Sequence, residues 1–462
     1  MRRYTRDQAT ELLAEYEATH PVEEYRFFDW HAWPLLRITI GSYMVGLGSP
    51  PGTVRRPLWR RVAGRCVRLP RSGWRRFRAS EQASFSPAAP ADVALLTHSN
   101  RSEMIGGALW HPIADPIAST LRRAGLAVQV WDRGPVQQPR QNQPVWIQEA
   151  LQNAATTPRP DIGAALSLTG RAWLAEWNRW TTKVLDHELP PELFPRRAGV
   201  IDRQCRLFER WLGESGCRCL LVDTWYGPPV LAAVMAARRL RIPVVDVQHG
   251  VQGDGHFAYT RWTKKLQGGF EQVPDVAWLW GKNPVHWGHQ RPMPAAAIGN
   301  LWLNRWRHAA EPAFAETLAE ASRLAENHQR TVLVTTQPVV DLRPVYDAIR
   351  WSPGDWRWLV RTHRGTNGVQ QRGILEGLRR LGHPGVEVDR ATSLPLYALI
   401  QAADVHVTGY STCALEALGL HTPTVVFHPA GHTAFGHFIE QGSMCAARNG
   451  EEIVAAIPQM AD

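Results

Sequence analysis

The sequence predicts an α/β protein made of two consecutive domains, each built on a parallel sheet. Three observations predict it. The chain has 462 residues, about three times the common domain size, so two domains are expected before one large core. Short apolar runs that end in polar or glycine residues alternate with helical patterns, the signature of parallel α/β units. Those runs fall into two series, one within residues 92–281 and one within residues 331–428, with a junction near residues 300–312.

Residues 1–90 precede the first series. They hold an acidic helix at 6–18, the segment FFDWHAWPLLRITIG, an arginine-dense stretch and a Ser/Ala/Pro-rich link, SFSPAAPA, that marks a subdomain boundary. The first series opens with the strands DVALLTHSN (92–100) and LAVQVWDRG (126–134), and the helix between them holds DPIASTLRRAG. Helices at 173–184 and 200–211 follow. RCLLVDT (218–224), PPVLAAVMAARRL (228–240) and IPVVDVQHG (242–250) form a βαβ crossover, with Pro228 and Pro229 in the first helical turn, where a missing N–H costs nothing. DVAWLWG (275–281) closes the series. The second series comprises TVLVTTQ (331–337), WRWLVRTH (356–363), GVEVDR (385–390), ADVHVTG (403–409) and TPTVVFH (422–428). The expected division is an N-terminal segment, 1–90, and two Rossmann-like domains, 91–305 and 306–462, facing a cleft.

Composition narrows the function classes. With 44% hydrophobic and 20% charged residues the chain is neither disordered nor coiled coil. Its longest apolar stretch, 35–47, is interrupted by Arg37 and falls short of the ~20 residues that cross a bilayer. The N-terminus, MRRYTRDQATELLAEYEATH, lacks the apolar core of a secretory signal, so a cytoplasmic location is expected. Cys217 and Cys219 form a C-x-C inside an apolar run, which reads as packed core, and no C-x-x-C supports zinc or redox chemistry.

The net charge of +10 and a pI near 9.6 point to an acidic partner. From Arg55 to Arg78 the chain is dense in arginine, interleaved with Trp59, Trp74 and Phe77. One reading is a contact with anionic lipid on the inner face of the cytoplasmic membrane, each basic residue contributing about 1 kcal/mol. The other is a solvated connector. Nucleic acid is not expected as a partner, because no helix-turn-helix, zinc-finger or RNP-type motif is present.

In open parallel sheets, ligands bind beyond the carboxyl ends of the strands. Those ends are polar here. The first series ends its strands in Thr97, His98, Ser99 and Asn100, then Asp132, Asp223, and Gln248, His249 and Gly250. The second ends in Thr335, Thr336 and Gln337, then Arg361, Thr362 and His363, then Asp389 and Arg390, then Gly409, Tyr410, Ser411 and Thr412. The segment VTGYSTCALEALGLHTPTVVFHP (407–429) reads as strand, glycine turn, helix, strand. Ser411 and Thr412 fall at the helix start, where free N–H groups and the helix dipole favour a phosphate. Glu416 lies one turn deeper, where a carboxylate accepts from ribose hydroxyls; an ordinary N-cap with a satisfied carboxylate is the alternative.

This segment resembles the nucleotide-sugar element of the two-domain GT-B glycosyltransferases, G-x-S-S/T-x-x-x-E-A-x-x-x-G-x-P, through Gly409, Ser411, Thr412, Glu416, Ala417, Gly419 and Pro423. VVDVQHG resembles bacterial capsule and O-antigen enzymes that use CMP-activated Kdo, and related forms occur in polyol-phosphate transferases. The resemblance implies a glycosyltransferase that moves Kdo from CMP-Kdo to a growing surface glycan or glycolipid. Asp223 stands where the retaining β-Kdo transferases have their proposed nucleophile. A carboxylate there attacks an anomeric carbon and splits one substitution into two; its bland alternative is a helix N-cap. Gln248 and His249 would hold the carboxylate or the sugar's acid group, His249 being otherwise a core histidine.

Further roles follow from the same reading. Glu103, or His98 in its place, is the acid/base partner that takes the acceptor's proton. Thr336, Gln337, Arg361 and His363 join the donor site, the last two neutralising the leaving phosphate. His363 is followed by Arg364 where the family often has His-Pro, which leaves CDP and UDP donors open. FDWHAWPLLR (28–37) resembles N-terminal segments of this group, so Trp30, Trp33 and Arg37 either bind acceptor sugar or pack in the core. No D-x-D is seen, so neither metal nor other cofactor is expected beyond the nucleotide-sugar co-substrate. The rivals are a CDP-glycerol-type polyol-phosphate transferase with His249 as base, a non-catalytic glycan- or lipid-binding partner, and an epimerase on the same frame.

Overall fold

The structure is a computed structural model that describes residues 2–48, 87, 89–156, 168–264, 266–283, 289–309, 311–338, 340–363, 366 and 368–461. The stretch from Arg55 to Arg78, with its expected membrane contact, lies outside the described residues. Among the described residues no helix is long and apolar enough to cross a membrane.

In chain order the strands are β1 (Arg26–Phe27), β2 (Trp30–His31), β3 (Val93–Thr97), β4 (Glu103–Ile105), β5 (Ala108–Trp110), β6 (Val128–Asp132), β7 (Val145–Trp146), β8 (Cys219–Asp223) and β9 (Val244–Val247). They continue as β10 (Val276–Leu279), β11 (Ala295–Ala297), β12 (Arg330–Thr335), β13 (Trp356–Arg361), β14 (Val386–Glu387), β15 (Val405–Thr408), β16 (Thr424–Val426) and β17 (Met444–Ala446). Two compact units result. One takes residues 1–100, 113–136 and 142–299, and the other takes 101–112, 137–141 and 300–462.

The first unit holds a seven-stranded sheet in the order β11-β10-β9-β8-β3-β6-β7, parallel throughout. Its central strands are continuous apolar runs such as Ala94, Leu95 and Leu96, or Leu220, Leu221 and Val222, because helices cover both faces of a parallel sheet. The second unit holds a six-stranded parallel sheet, β14-β13-β12-β15-β16-β17. Both orders run outward from the first strand to one side and then resume on its other side. That is the Rossmann-like order, and it creates a switch point between β3 and β8 in the first sheet and between β12 and β15 in the second. The α/β class with two parallel sheets expected from the sequence is the one observed.

Residues 2–48 of the N-terminal segment contribute to the first unit's core. Helix Arg6–Thr19 starts with a capping box, Thr5 accepting from Gln8 N while the Gln8 side chain accepts from Thr5 N. Its Tyr16 packs against Trp33, Trp177 and Trp180. Helix Trp33–Met44 is buried along nearly its whole length. Arg37 is fully buried and pairs with Glu17 at 2.6 Å, while its other nitrogens donate to the carbonyls of Phe257, Thr260 and Arg261. Trp30 and Trp33 are likewise closed to solvent. The acceptor-binding expectation for Trp30, Trp33 and Arg37 is therefore corrected: the rings expose no face on which a sugar can stack, and the guanidinium is saturated inside the core.

A second difference concerns residues 101–112. They leave the first sheet after β3 and form the β4–β5 hairpin, turned by Gly106 and Gly107, both at positive φ, where glycine alone is unstrained. Trp110 of this hairpin packs on Trp302 and Phe314, so the hairpin belongs to the second unit.

Candidate functional site

At the switch point of the first sheet stands Asp223, the last residue of β8, with its side chain closed to solvent. Thr97, the last residue of β3, donates from its hydroxyl to Asp223 Oδ2 at 2.9 Å. Arg133 brings a guanidinium nitrogen to 3.5 Å from Oδ1, and is the partly exposed member of that pair. Thr224, directly after Asp223, has φ of 63°, an unusual conformation for a β-branched residue and one that clusters at functional turns. Asp132, at the end of β6, accepts from the backbone N–H groups of Ser99 and Gly134 at 2.9 and 2.8 Å. It ties the loops beyond β3 and β6 together.

One strand further, Asp246 lies fully buried on β9 opposite Val222. Its oxygens accept from Trp225 N at 3.3 Å and from the Tyr259 hydroxyl at 2.8 Å. Desolvation pushes its carboxyl up to about 7, although Tyr259, Trp225 and Arg291 pull the other way; the nearby Asp223 adds to the rise. His249 is half-buried, with Nε2 3.0 Å from the Tyr226 hydroxyl and Nδ1 3.5 Å from Gln252 Nε2. His256 packs beside the same Tyr226, and burial holds it well below the usual imidazole range.

Gln248 follows directly after β9. It is fully buried, accepts from Trp280 N at 2.6 Å and donates to the Gly250 carbonyl at 2.8 Å. It fixes the turn that presents His249.

In the second unit the switch-point loops are equally tied. Gln337 Oε1 accepts from Tyr410 N at 2.8 Å, and the Thr336 hydroxyl accepts from His363 N at 3.2 Å. Gly409 is where a side chain would collide with Gln337, and a Cβ at Gly431 would lie 2.0 Å from the Gly409 carbonyl oxygen. Ser411 Oγ accepts from Cys413 N at 3.3 Å, and helix Cys413–Gly419 follows with Thr412 at its start. Glu416 accepts from the Tyr397 hydroxyl at 3.1 Å, and Tyr397 in turn accepts from Asn300 Nδ2 at 3.3 Å. Burial pushes Glu416 up to about 7, with Glu103 adding and Tyr397, Cys413 and Arg101 opposing.

Arg361 ends β13 with its Nη1 donating to the carbonyls of Ala391 (2.9 Å), Thr392 (3.2 Å) and Leu394. Its Nη2 faces Glu103 at 3.7 Å. Glu103 thus sits in the second unit beside Arg361 and Glu416, where sequence reading had put it in the first domain as acid/base partner. His363 is exposed at the same strand end, and His98 accepts from Asn100 N at 3.2 Å in the first unit. Sequence reasoning missed Arg133, Asp246, Tyr259 and Tyr397 as partners. The first two lie in runs that read as strands, but their partners, Asp223 for Arg133 and Trp225 and Tyr259 for Asp246, are brought to them only by the fold.

No family model and no curated protein sequence matches the chain. Among solved structures it is similar to the UDP-GlcNAc 2-epimerase from Methanocaldococcus jannaschii, at 11% identity and a TM-score of 0.47, over 80% of this chain and 92% of that one. It is similar to the Neisseria meningitidis UDP-GlcNAc 2-epimerase bound to UDP-GlcNAc, at 10% identity and a TM-score of 0.44, over 80% and 90%. It is also similar to Acinetobacter baumannii MurG, at 14% identity and a TM-score of 0.40, over 80% and 91%.

Proposed function

We propose that the protein is a nucleotide-sugar-dependent glycosyltransferase of GT-B type, moving an acidic sugar, Kdo, from a CMP donor to a glycan or glycolipid acceptor. The observation that carries this reading is Asp223 at the switch point of the first sheet, oriented by Thr97 and paired with Arg133. The proposed chemistry has two steps. An Asp223 oxygen bonds to the anomeric carbon as the bond to the CMP oxygen breaks, and the electron pair leaves on the phosphate. The acceptor oxygen then displaces Asp223, and His249 takes its proton. Because the Asp223 side chain is closed to solvent, the site must open for the sugar to reach it. In the second unit Glu416 and the 409–412 turn would hold the nucleoside.

One observation favours a second reading. His249 is more open than Asp223, which suits a polyol-phosphate transfer from CDP-glycerol with His249 as general base. The test is transfer from CMP-Kdo and from CDP-glycerol by wild-type protein, Asp223→Asn and His249→Ala, with intact mass as a second readout. The first reading predicts a Kdo adduct on wild type that Asp223→Asn lacks. Activity with CDP-glycerol that survives Asp223→Asn but not His249→Ala would establish the second.

A further inference from the structure

We propose that Glu103 determines which donors the second unit accepts, by occupying the outer edge of Arg361 and so reserving the site for a ligand that carries a single phosphate. The inference rests on the donor-site reading above and deepens it.

A guanidinium at a strand end in a nucleotide unit ordinarily offers its planar fork to a phosphate. Arg361 does not. Its Nη1 is held by the carbonyls of Ala391, Thr392 and Leu394, and its Nη2 meets the protein's own carboxylate, Glu103. Both side chains are close to nine-tenths buried, 12% and 11% exposed, so solvent screens the pair little.

The carboxylate also comes from a well-packed element. It is delivered by the β4–β5 hairpin, whose Ile105 and Trp110 are buried in the second unit's core with Trp302 and Phe314. A Cβ at Gly106 would lie 2.5 Å from Ala313 Cβ, which shows how closely the hairpin tip seats on helix Pro312–Ala325. The backbone of Glu103 is therefore anchored in the second unit.

Among the described residues its charged and titratable neighbours include Arg361 and Arg101, the carboxyl of Glu416, Tyr397 and the half-buried Cys413. Glu103 raises the proton affinity of both Glu416 and Tyr397, which places its charge within reach of Glu416, the residue proposed to hold the nucleoside. A ligand with one phosphate meets an Arg361 already paired with Glu103. A second phosphate adds charge beside a carboxylate that is held against it, and rejection by like charge is a recognised route to specificity.

The test is titration of full-length wild-type protein and Glu103→Gln with CMP and with CDP, with apo stability measured in parallel. Glu103→Gln should tighten CDP relative to CMP by about tenfold, the scale of one unit charge removed from a partly buried pair. An unchanged CDP/CMP ratio overturns the inference, including the case where only apo stability falls, since that is what a merely structural pin would give. If wild-type protein binds neither nucleotide, the donor reading itself fails. Glu103 is then tested with inorganic pyrophosphate against inorganic phosphate: a selective gain of pyrophosphate by Glu103→Gln supports the inference, and its absence overturns it.

Discussion

Thr97 and Asp223 meet across the switch point of the first sheet, the threonine hydroxyl donating to Asp223 Oδ2 at 2.9 Å with both side chains buried. The bond joins the ends of β3 and β8, neighbours in the sheet that are 126 residues apart in sequence. Thr97→Val keeps the shape and removes a donor to a buried carboxylate oxygen, a loss of about 1–3 kcal/mol. Urea denaturation should show that loss, and Thr97→Ser should restore most of it. Equal stability of the Val variant and wild type would mean the bond does not form.

The buried pair Glu17–Arg37 sets core against ligand directly. Burial pulls the Arg37 guanidinium down to about 10 and pushes Glu17 up, so each charge depends on the other. Arg37→Met strands Glu17 in the core and should cost about 3–5 kcal/mol in folding stability. An acceptor-binding arginine would instead leave stability intact and raise KM for the acceptor.

Two buried groups give pH dependences of opposite sign. Asp246 rises from 3.8 to about 7 on folding, so folded protein keeps a proton that the unfolded chain loses. Its contribution is full below about pH 4 and is lost as pH rises through 7. His406, between Thr335 and Thr424, falls from 6.5 to about 3, so its contribution is full above pH 6.5 and lost as pH falls toward 3. Denaturation at pH 4.5 and 7.5 should therefore show wild type losing ground to Asp246→Asn as pH rises, and gaining on His406→Gln. The slope per group is at most about 1.4 kcal/mol per pH unit. Parallel curves for wild type and Asp246→Asn would rule out the raised carboxyl.

Gly431 and Gly409 touch so closely that a Cβ on Gly431 would press into a backbone carbonyl. Gly431→Ala should cost about 1–3 kcal/mol by overpacking. Because the carbonyl belongs to the 409–412 turn, nucleotide binding should weaken in the same variant. Calorimetric titration beside a thermal melt reads both; a melt shift with unaltered affinity would separate the turn from the ligand.

Most of the fold was legible because parallel strands covered on both faces are written as apolar runs, as in VALLT of β3 and CLLVD of β8. The edge strands β7, β11 and β17 have two or three residues and carry no readable period. The β4–β5 hairpin was hidden because its apolar face packs on residues some two hundred positions away. Strand-end positions such as Asp223, Gln248 and Arg361 were visible, but their partners were not. Gln248 is spent on Trp280 and Arg361 on Glu103, contacts that only the folded chain makes. Trp30, Trp33 and Arg37 misled for the same reason: an arginine among tryptophans reads as a sugar clamp until its buried carboxylate, a helix away, is seen.

The central claim is that the second unit binds a nucleotide, and a thermal-shift series of the full-length protein with CMP, CDP, UDP and GDP tests it most directly. At about 100 times the dissociation constant, one-site binding stabilises by about 2.7 kcal/mol, which for domains of this size is about 5–10 °C. The account predicts a shift of that size that is selective for CMP. No shift with any of the four nucleotides would contradict it.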